Sequence, residues 1–317
     1  MTYGIPYMGS KSKLAEWIIS YLPKAEHFYD LCAGGCSVSH CAMLSNKFGH
    51  IHINDVNPYM PQAFIDAIHG KFKDEKRWIS HDDFFRLRRS GDTYVDICFS
   101  FGNRYGNTYA YSRELEPYKK AAHYAVVMGD YSLAKDVFGI DVSEIGCIED
   151  LRSRYMTFKR IVRAKMPQMA NLENIERLCR IQSLERLFQI DNIHTLQRVY
   201  VDTNVHVTNL SYDEVEILPD SVIYVDPPYA NTHGYYKADF DHERFYGWLE
   251  RQECPVYVSE YFMPEDRFVC VAERKRNCTM DAYRNDVFVT ERIYVPKHQY
   301  NSCKQLTLFE HDDNTNV

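Results

Sequence analysis

Residues 222–236 read VIYVDPPYANTHGYY, and the chemistry concentrates where that run leaves its apolar part. Asp226 brings a carboxylate. Pro227 and Pro228 fix φ twice and remove two backbone N–H donors, so the carbonyls there stay available as aimed acceptors. Tyr229 adds a ring face. A carboxylate, a rigid carbonyl and an aromatic ring make a receptor for a flat group bearing an NH2. Proline and aspartate also end strands and start turns, but that accounts for either residue type without accounting for the combination. In open α/β sheets the C-terminal end of a buried strand is where ligands sit.

A second constellation lies near the N-terminus. FYDLCAGGCSVSHCAML (residues 28–44) reads as a strand, a tight glycine turn and an apolar helix. Gly34 and Gly35 allow close backbone approach to a ligand or a positive φ. Asp55 follows the next strand, HIHIN, where an acid can accept both hydroxyls of a ribose. A nucleoside-containing cofactor is therefore expected. The loop runs AGGCSVS and lacks the G-x-G-x-x-G spacing that cradles a pyrophosphate, which argues against a nicotinamide oxidoreductase. S-adenosylmethionine, with a ribose and an adenine but no phosphate, suits it better. Cys32, Cys36, His40 and Cys41 have no second matching pair, so no metal is expected there.

These residues need a scaffold. The 317-residue chain is 45% hydrophobic and 26% charged, enough to bury a real core. Short β-like runs end at Leu31, Asn54, Leu210, Asp226, Glu260, Ala272 and Val295, with helix-like segments between several of them. That alternation predicts an α/β fold: a Rossmann-like, seven-stranded sheet with helices on both faces. Residues 71–198 differ, being mostly helical and rich in Tyr and Arg. They read as an insertion dividing an α/β domain made of residues 1–70 and 199–300, with residues 301–317 a flexible tail. Within the insertion, Leu172, Ile175, Leu178, Ile181, Leu184 and Leu187 stand at three-residue steps and read as one apolar helical stripe.

The net charge of −7 argues mildly against nucleic acid, yet it conceals a local excess. Residues 151–186 carry nine Lys or Arg against three Glu, a balance suited to a phosphate backbone. The ten cysteines are scattered without a disulfide framework, which fits a reducing cytoplasm. No run of 18 apolar residues and no charged-then-apolar leader is present, so neither a membrane span nor a secretory signal is expected.

Taken in order, YMGSKSKL, DLCAGG, NDVN and DPPY resemble the Dam-type (alpha-group) adenine-N6 DNA methyltransferases, and SFGNRYGNTYAYSRELEPYKKAAH resembles a segment of its phage and restriction-system members. The resemblance covers most of the chain, most clearly residues 5–61 and 209–296. It implies S-adenosylmethionine as cofactor and an adenine in double-stranded DNA, flipped out of the helix, as substrate. Tyr7 and Lys11 match the positions flanking the cofactor's methionine part. Asp30, Ala33, Gly34 and Gly35 match the glycine loop, and Asp55 the ribose-binding acid. Asp226, Pro227, Pro228 and Tyr229 match the catalytic motif. The chain departs from the pattern at Cys32 (usually Phe), Cys36 (often a third Gly) and Ser211, which precedes Tyr212 where an Asp often contacts the cofactor's adenine.

Arg104, Arg152, Arg154, Lys159, Arg160 and Arg163 are the candidates for contacting DNA. Near the C-terminus, Gln305, Leu306, Leu308 and Phe309 lie in QLTLF, which resembles the short peptide by which bacterial replication proteins dock on the sliding clamp. RNA adenine, a cytosine amino group or a protein glutamine amide present the same planar NH2 to DPPY, and a DNA-binding relative with impaired catalysis also stays open at this point.

Overall fold

The computed structural model describes residues 2–103, 108–166, 172–200, 204–229, 240–277 and 288–301. The chain divides into two compact units. One comprises residues 1–4, 10–68 and 195–317; the other comprises residues 5–9 and 69–194. Residues 5–9, read from the sequence with the sheet, thus group with the second unit.

The first unit is built on a seven-stranded sheet: β1 (Ala25–Asp30), β2 (Phe48–Asn54), β3 (Asn204–Thr208), β4 (Ser221–Val225), β5 (Val256–Glu260), β6 (Phe268–Asn277) and β7 (Phe288–Pro296), in the order β3-β2-β1-β4-β5-β7-β6. The five strands β1 to β5 pair in parallel, and β7 is antiparallel to both β5 and β6. Every residue of β4 and β5 is buried, as expected of parallel strands covered on both faces. Helices α1 (Ala15–Tyr21), α2 (Ser37–Leu44) and α3 (Tyr59–Ile68) belong to this unit. So does a late helix, His242–Leu249, whose Phe245, Trp248 and Leu249 pack with Tyr29, Ile223, Val225, Val256 and Val258. The architecture is a Rossmann-like mixed α/β fold with its seven strands where the sequence marks them.

Strand order decides where a ligand can sit. From β1 the sheet grows through β2 to β3, and from β4 it grows the other way, so the order reverses between β1 and β4. Connections leaving those two strands diverge and open a crevice beyond their C-terminal ends. Asp30 closes β1, pairing in register with Tyr224, and Asp226 follows β4 directly.

The second unit is helical. It contains α4 (His81–Arg89), α5 (Thr93–Phe99), α6 (Glu116–His123), α7 (Ser132–Phe138), α8 (Leu151–Lys165), α9 (Leu172–Cys179) and α10 (Gln182–His194). Its core is aromatic: Trp78 stacks on Tyr111 and Phe99 on Tyr109, with Phe84 and Phe158 fully buried. The three-residue apolar steps do not run along one helix. Each step turns about 60° short of a full circle, so six such positions cannot share a face. The chain resolves this by breaking at Arg180–Ile181, between α9 and α10. Buried Lys119 satisfies the break by donating to the carbonyls of Arg177 and Arg180, and Ile181 N–H donates to Tyr155 Oη at 2.8 Å. Burial lowers the Lys119 ammonium to about 8. Among the described residues no helix is long and apolar enough to cross a membrane.

Candidate active site

The loop after β1 is organised from beneath by carboxylates. Asp30 is buried, and its Oδ2 accepts from the N–H of Ser39 at 3.1 Å and from its hydroxyl at 2.6 Å. An acid there complements the exposed N–H groups at the start of α2. Burial first, and then the charges of Asp226 and Asp55, push the Asp30 carboxyl up to about 7, with the Ser39 bonds pulling the other way. Asp30 therefore builds the loop from inside. Ala33 N–H donates to Asn54 O at 3.0 Å, and Gly34 N–H to Asp55 Oδ2 at 2.7 Å, tying the loop to the end of β2.

The left-handed conformations in AGGC fall at Gly34 (φ 48°) and Cys36 (φ 56°). Position 36, where Cys replaces a glycine of the resembled pattern, is thus one where glycine would be unstrained. Gly35 has a different companion. A Cβ on Gly4, itself at φ 69°, would lie within 2.7 Å of Ser37 N and run into Gly35 O, so the N-terminal segment rests on the loop through a residue without a side chain. Gly4 N–H also donates to buried His40 Nδ1 at 3.0 Å, which uses His40 as a neutral acceptor; burial lowers its pKa to about 4. Burial also pushes the Cys32 and Cys36 thiols well above their ordinary range, so neither is a thiolate at neutral pH.

Asp55 accepts from Gly34 N–H on Oδ2 and from Asn57 N–H at 2.8 Å on Oδ1, and burial raises its pKa against those two bonds. Asn54, read in the sequence only as a strand end and the first residue of NDVN, stitches three segments. Its Nδ2 donates to Leu31 O and Leu210 O, both at 3.0 Å, while its Oδ1 accepts from Thr208 Oγ1 at 2.8 Å and Leu210 N–H at 3.0 Å. Beyond it, Ser211 donates its hydroxyl to Asp213, which in turn pairs with Arg244. Tyr212 packs edge-on against Phe245 and Trp248, with centroids at 5.1 and 5.2 Å.

At the end of β4, Lys11 Nζ lies 2.8 Å from Asp226 Oδ1 and 4.8 Å from the centroid of the Tyr229 ring. Lys11 is 7% exposed and Asp226 19%. Burial raises the Asp226 carboxyl, Lys11 opposes this by charge and hydrogen bond, and Glu291 adds to the rise. Tyr229 is held at both ends: its hydroxyl donates to Glu291 Oε2 at 2.8 Å, and its ring meets Tyr261 edge-on at 4.6 Å. Pro227 is buried and Pro228 partly so. Glu291, on β7, and Tyr261, just after β5, contact Tyr229 and join the candidate site, and sequence reading missed both. Their only signal was a charge inside an otherwise apolar strand run (FVTERIYV) and an aromatic after VYVSE.

Asp30, Asp55, Asp226, Glu260 and Glu291 thus gather at one end of the sheet, with Lys11 the cation paired to Asp226. Tyr7 falls within residues 5–9, which group with the helical unit. In that unit the candidate cations of α8 separate. Arg154 donates to Ile148 O at 2.9 Å and Val126 O at 3.1 Å, and Lys159 is buried with its ammonium 2.6 Å from Glu176. Arg163 pairs with the same Glu176 while remaining exposed, Arg152 lies over the Phe188 ring, and Arg160 is exposed. Arg104 and the residues Gln305, Leu306, Leu308 and Phe309 lie outside the described residues.

Comparison with curated proteins finds no match. A family model, in contrast, aligns with residues 7–301, from the N-terminal lysine segment through DPPY to the residues after the last strand. That span takes in every strand of the sheet and the whole helical unit beyond residue 69, and by it the chain belongs to the D12 class N6 adenine-specific DNA methyltransferases.

Proposed function

We propose that the protein methylates N6 of an adenine turned out of duplex DNA, with S-adenosylmethionine as donor. The observation that carries this is the corner at the end of β4, where Asp226 is held ionisable by Lys11 beside a Tyr229 ring fixed by Glu291 and Tyr261. The donor, when bound, supplies an electrophilic methyl group on a positively charged sulfur. An acid-rich strand end suits that cation, and Asp55 beside the left-handed Gly34 suits a ribose. Tyr7, Lys11, Ala33, Gly35, Ser211 and Tyr212 complete the set that would hold it, with Asp30 acting beneath the loop.

The amino group of adenine is a poor nucleophile because its lone pair is delocalised into the ring. In this reading the Asp226 carboxylate accepts one N–H and the Pro227 carbonyl the other. The nitrogen then turns towards tetrahedral geometry, and its developing positive charge meets a fixed anion. Lys11 on Oδ1 opposes the burial that raises the carboxyl and so favours its ionised form. Burial that raises the carboxyl also makes it a competent acceptor for the proton that leaves afterwards. Turning the base out costs a few kcal/mol. A Tyr229 stack would return about 1–3 kcal/mol.

For DNA binding, Arg152, Arg160 and Arg163, all exposed on α8, would contact phosphates, with Arg104 as a further candidate. Arg154 and Lys159 serve inside the unit. The QLTLF residues are proposed to dock on a bacterial sliding clamp, and a pull-down comparing wild type with a Leu308→Ala, Phe309→Ala variant tests that separately.

The decisive experiment is Asp226→Ala, with labelled-methyl incorporation into unmodified genomic DNA measured beside calorimetric binding of S-adenosylmethionine. Incorporation should fall by about three orders of magnitude with cofactor affinity within a few-fold. Substantial residual turnover overturns the role of Asp226. A wild type that binds cofactor and never methylates would point to the impaired relative.

A further inference from the structure

Four histidines share one face of the sheet: His27 on β1, His50 and His52 on β2, and His206 on β3. Register sets this, because His27 pairs with His50, Tyr29 with His52, and His52 with His206. The rings form contacts rather than a scattered patch. His27 Nδ1 is 3.1 Å from His52 Nε2, and His50 Nδ1 is 3.4 Å from His206 Nε2. Tyr29, His52 and His206 form a continuous stack, with centroids at 4.1 and 4.7 Å and interplanar angles of 5° and 18°. None of these histidines has a part in the methyl-transfer reading.

We infer that His50 and His206 form a binding site for a divalent transition-metal ion of the zinc type. Three observations converge on that pair. The separation of the two nitrogens is 3.4 Å. Two imidazole nitrogens at about 2.0–2.1 Å from a tetrahedral zinc ion stand about 3.3 Å apart, so the pair already spans one edge of a coordination tetrahedron. The other nitrogen of His50 faces a carboxylate, with Nε2 3.5 Å from Glu26 Oε1. That is the arrangement in which an outer carboxylate fixes the tautomer of a ligating imidazole and raises its basicity. Finally, the carboxylate is seated by the backbone: a Cβ at Gly49 would stand only 2.6 Å from Glu26 Oε1, so glycine there leaves the room it occupies.

His50 is 26% exposed and His206 is exposed, so an ion can reach them. Among the described residues no three metal-binding side chains converge on one point, and water completes the coordination. The ion takes the place of the proton between the two rings, and His206 carries its hydrogen on Nδ1 instead. The Tyr29–His52–His206 stack limits how far that ring can turn away. Bridging His50 to His206 clips the edge strand β3 to β2, just before Asn54 ties Leu210 to the loop after β1.

The test is calorimetric titration of the full-length protein with Zn2+ alone, paired with thermal melts. One equivalent should bind saturably and raise Tm by a few degrees. His206→Ala, a change at an exposed position, should weaken binding at least tenfold and abolish the Tm rise. Glu26→Gln keeps both ligands and should weaken binding by about tenfold. Cys147→Ser, which removes an exposed thiol, should leave binding unchanged. Absence of saturable uptake overturns the site. So does uptake lost in Cys147→Ser, or uptake kept at wild-type affinity in both His206→Ala and Glu26→Gln.

Discussion

The acids at the strand ends and the cations of α8 handle charge in opposite ways. At the sheet, Asp30, Glu260 and Glu291 are buried and Asp226 nearly so, and each carboxylate has a dedicated donor: Ser39, the Tyr261 N–H, the Tyr229 hydroxyl and Lys11. Buried charge survives only when paired or hydrogen-bonded, so every partner there is tightly specified. On α8, six of fifteen residues are basic and none acidic, yet the helix divides them. Arg154 and Lys159 turn inward to carbonyls and Glu176, and Arg160 stays in water. The first region is a set of buried acids whose partners depend on one another; the second combines internal struts with an outward basic surface. Substitution should therefore be steep and specific at the sheet, and should split cleanly into two classes on α8.

Lys11→Met strikes the first region hardest. Without the ammonium, no charge offsets the burial that lifts Asp226 and only the Tyr229 hydroxyl opposes it, so its carboxyl rises further and is ionised only at higher pH. Methyl incorporation at pH 7 should drop by two to three orders of magnitude. The acidic limb of the kcat profile should also move to higher pH. A variant whose rate falls with no movement of that limb would show that Lys11 serves some other purpose than holding Asp226 ionised.

Asp30→Asn probes the same region through stability. In the folded protein this carboxyl titrates at about 7, well above the value of about 3.9 expected of an unfolded chain. Between those values the native state holds the extra proton, so stability declines as pH rises through the window. From pH 5 to pH 7 the wild type should lose roughly 2–3 kcal/mol that the Asn variant keeps, since each pKa unit is worth about 1.4 kcal/mol. Urea unfolding of both proteins at pH 5 and pH 8 reads this directly. Parallel pH dependence would mean that burial does not raise Asp30.

On α8 the expected effects are smaller and of two kinds. Arg154→Ala strands the Ile148 and Val126 carbonyls and should cost about 2 kcal/mol of stability. Arg160→Ala should change stability by less than about 0.5 kcal/mol, while reducing the salt slope of DNA binding by about one. If both behave alike, in either assay, the division of α8 into struts and surface fails.

This division explains what was legible in the sequence. The sheet was, because β-branched runs and alternating helices impose a period that local chemistry cannot hide; all seven strands lie where those runs are. DPPY and AGGC were legible as chemistry because proline and glycine announce backbone conformation. Glu291 and Tyr261 were not, since both reach Tyr229 from segments more than thirty residues downstream and no local pattern records that meeting. For α8 the excess of positive charge was plain. Which cations face inward depends on carbonyls from Val126 and Ile148 and on Glu176, none of which the helix's own sequence reveals. The broken stripe at Ile181 failed for a related reason: a three-residue step imitates a helix over two turns and drifts off its face over five.

Cys36 supplies the finest adjustment. It sits in a left-handed conformation at φ 56°, which costs an L side chain about 1–2 kcal/mol relative to glycine. Its side chain is fully buried, with Sγ 3.7 Å from Gly34 O, and burying so small a group returns an energy of about the same size. Glycine would relieve the strain, lose the packing and add backbone entropy to the unfolded chain. These terms nearly cancel, so Cys36→Gly should alter stability by less than about 1 kcal/mol. Methyl incorporation should remain within two-fold, because a thiol raised this far by burial carries no charge for the reaction to use. A large loss of activity in a stably folded Cys36→Gly protein would place the thiol among the working groups of the site and make the glycine loop more than a backbone device.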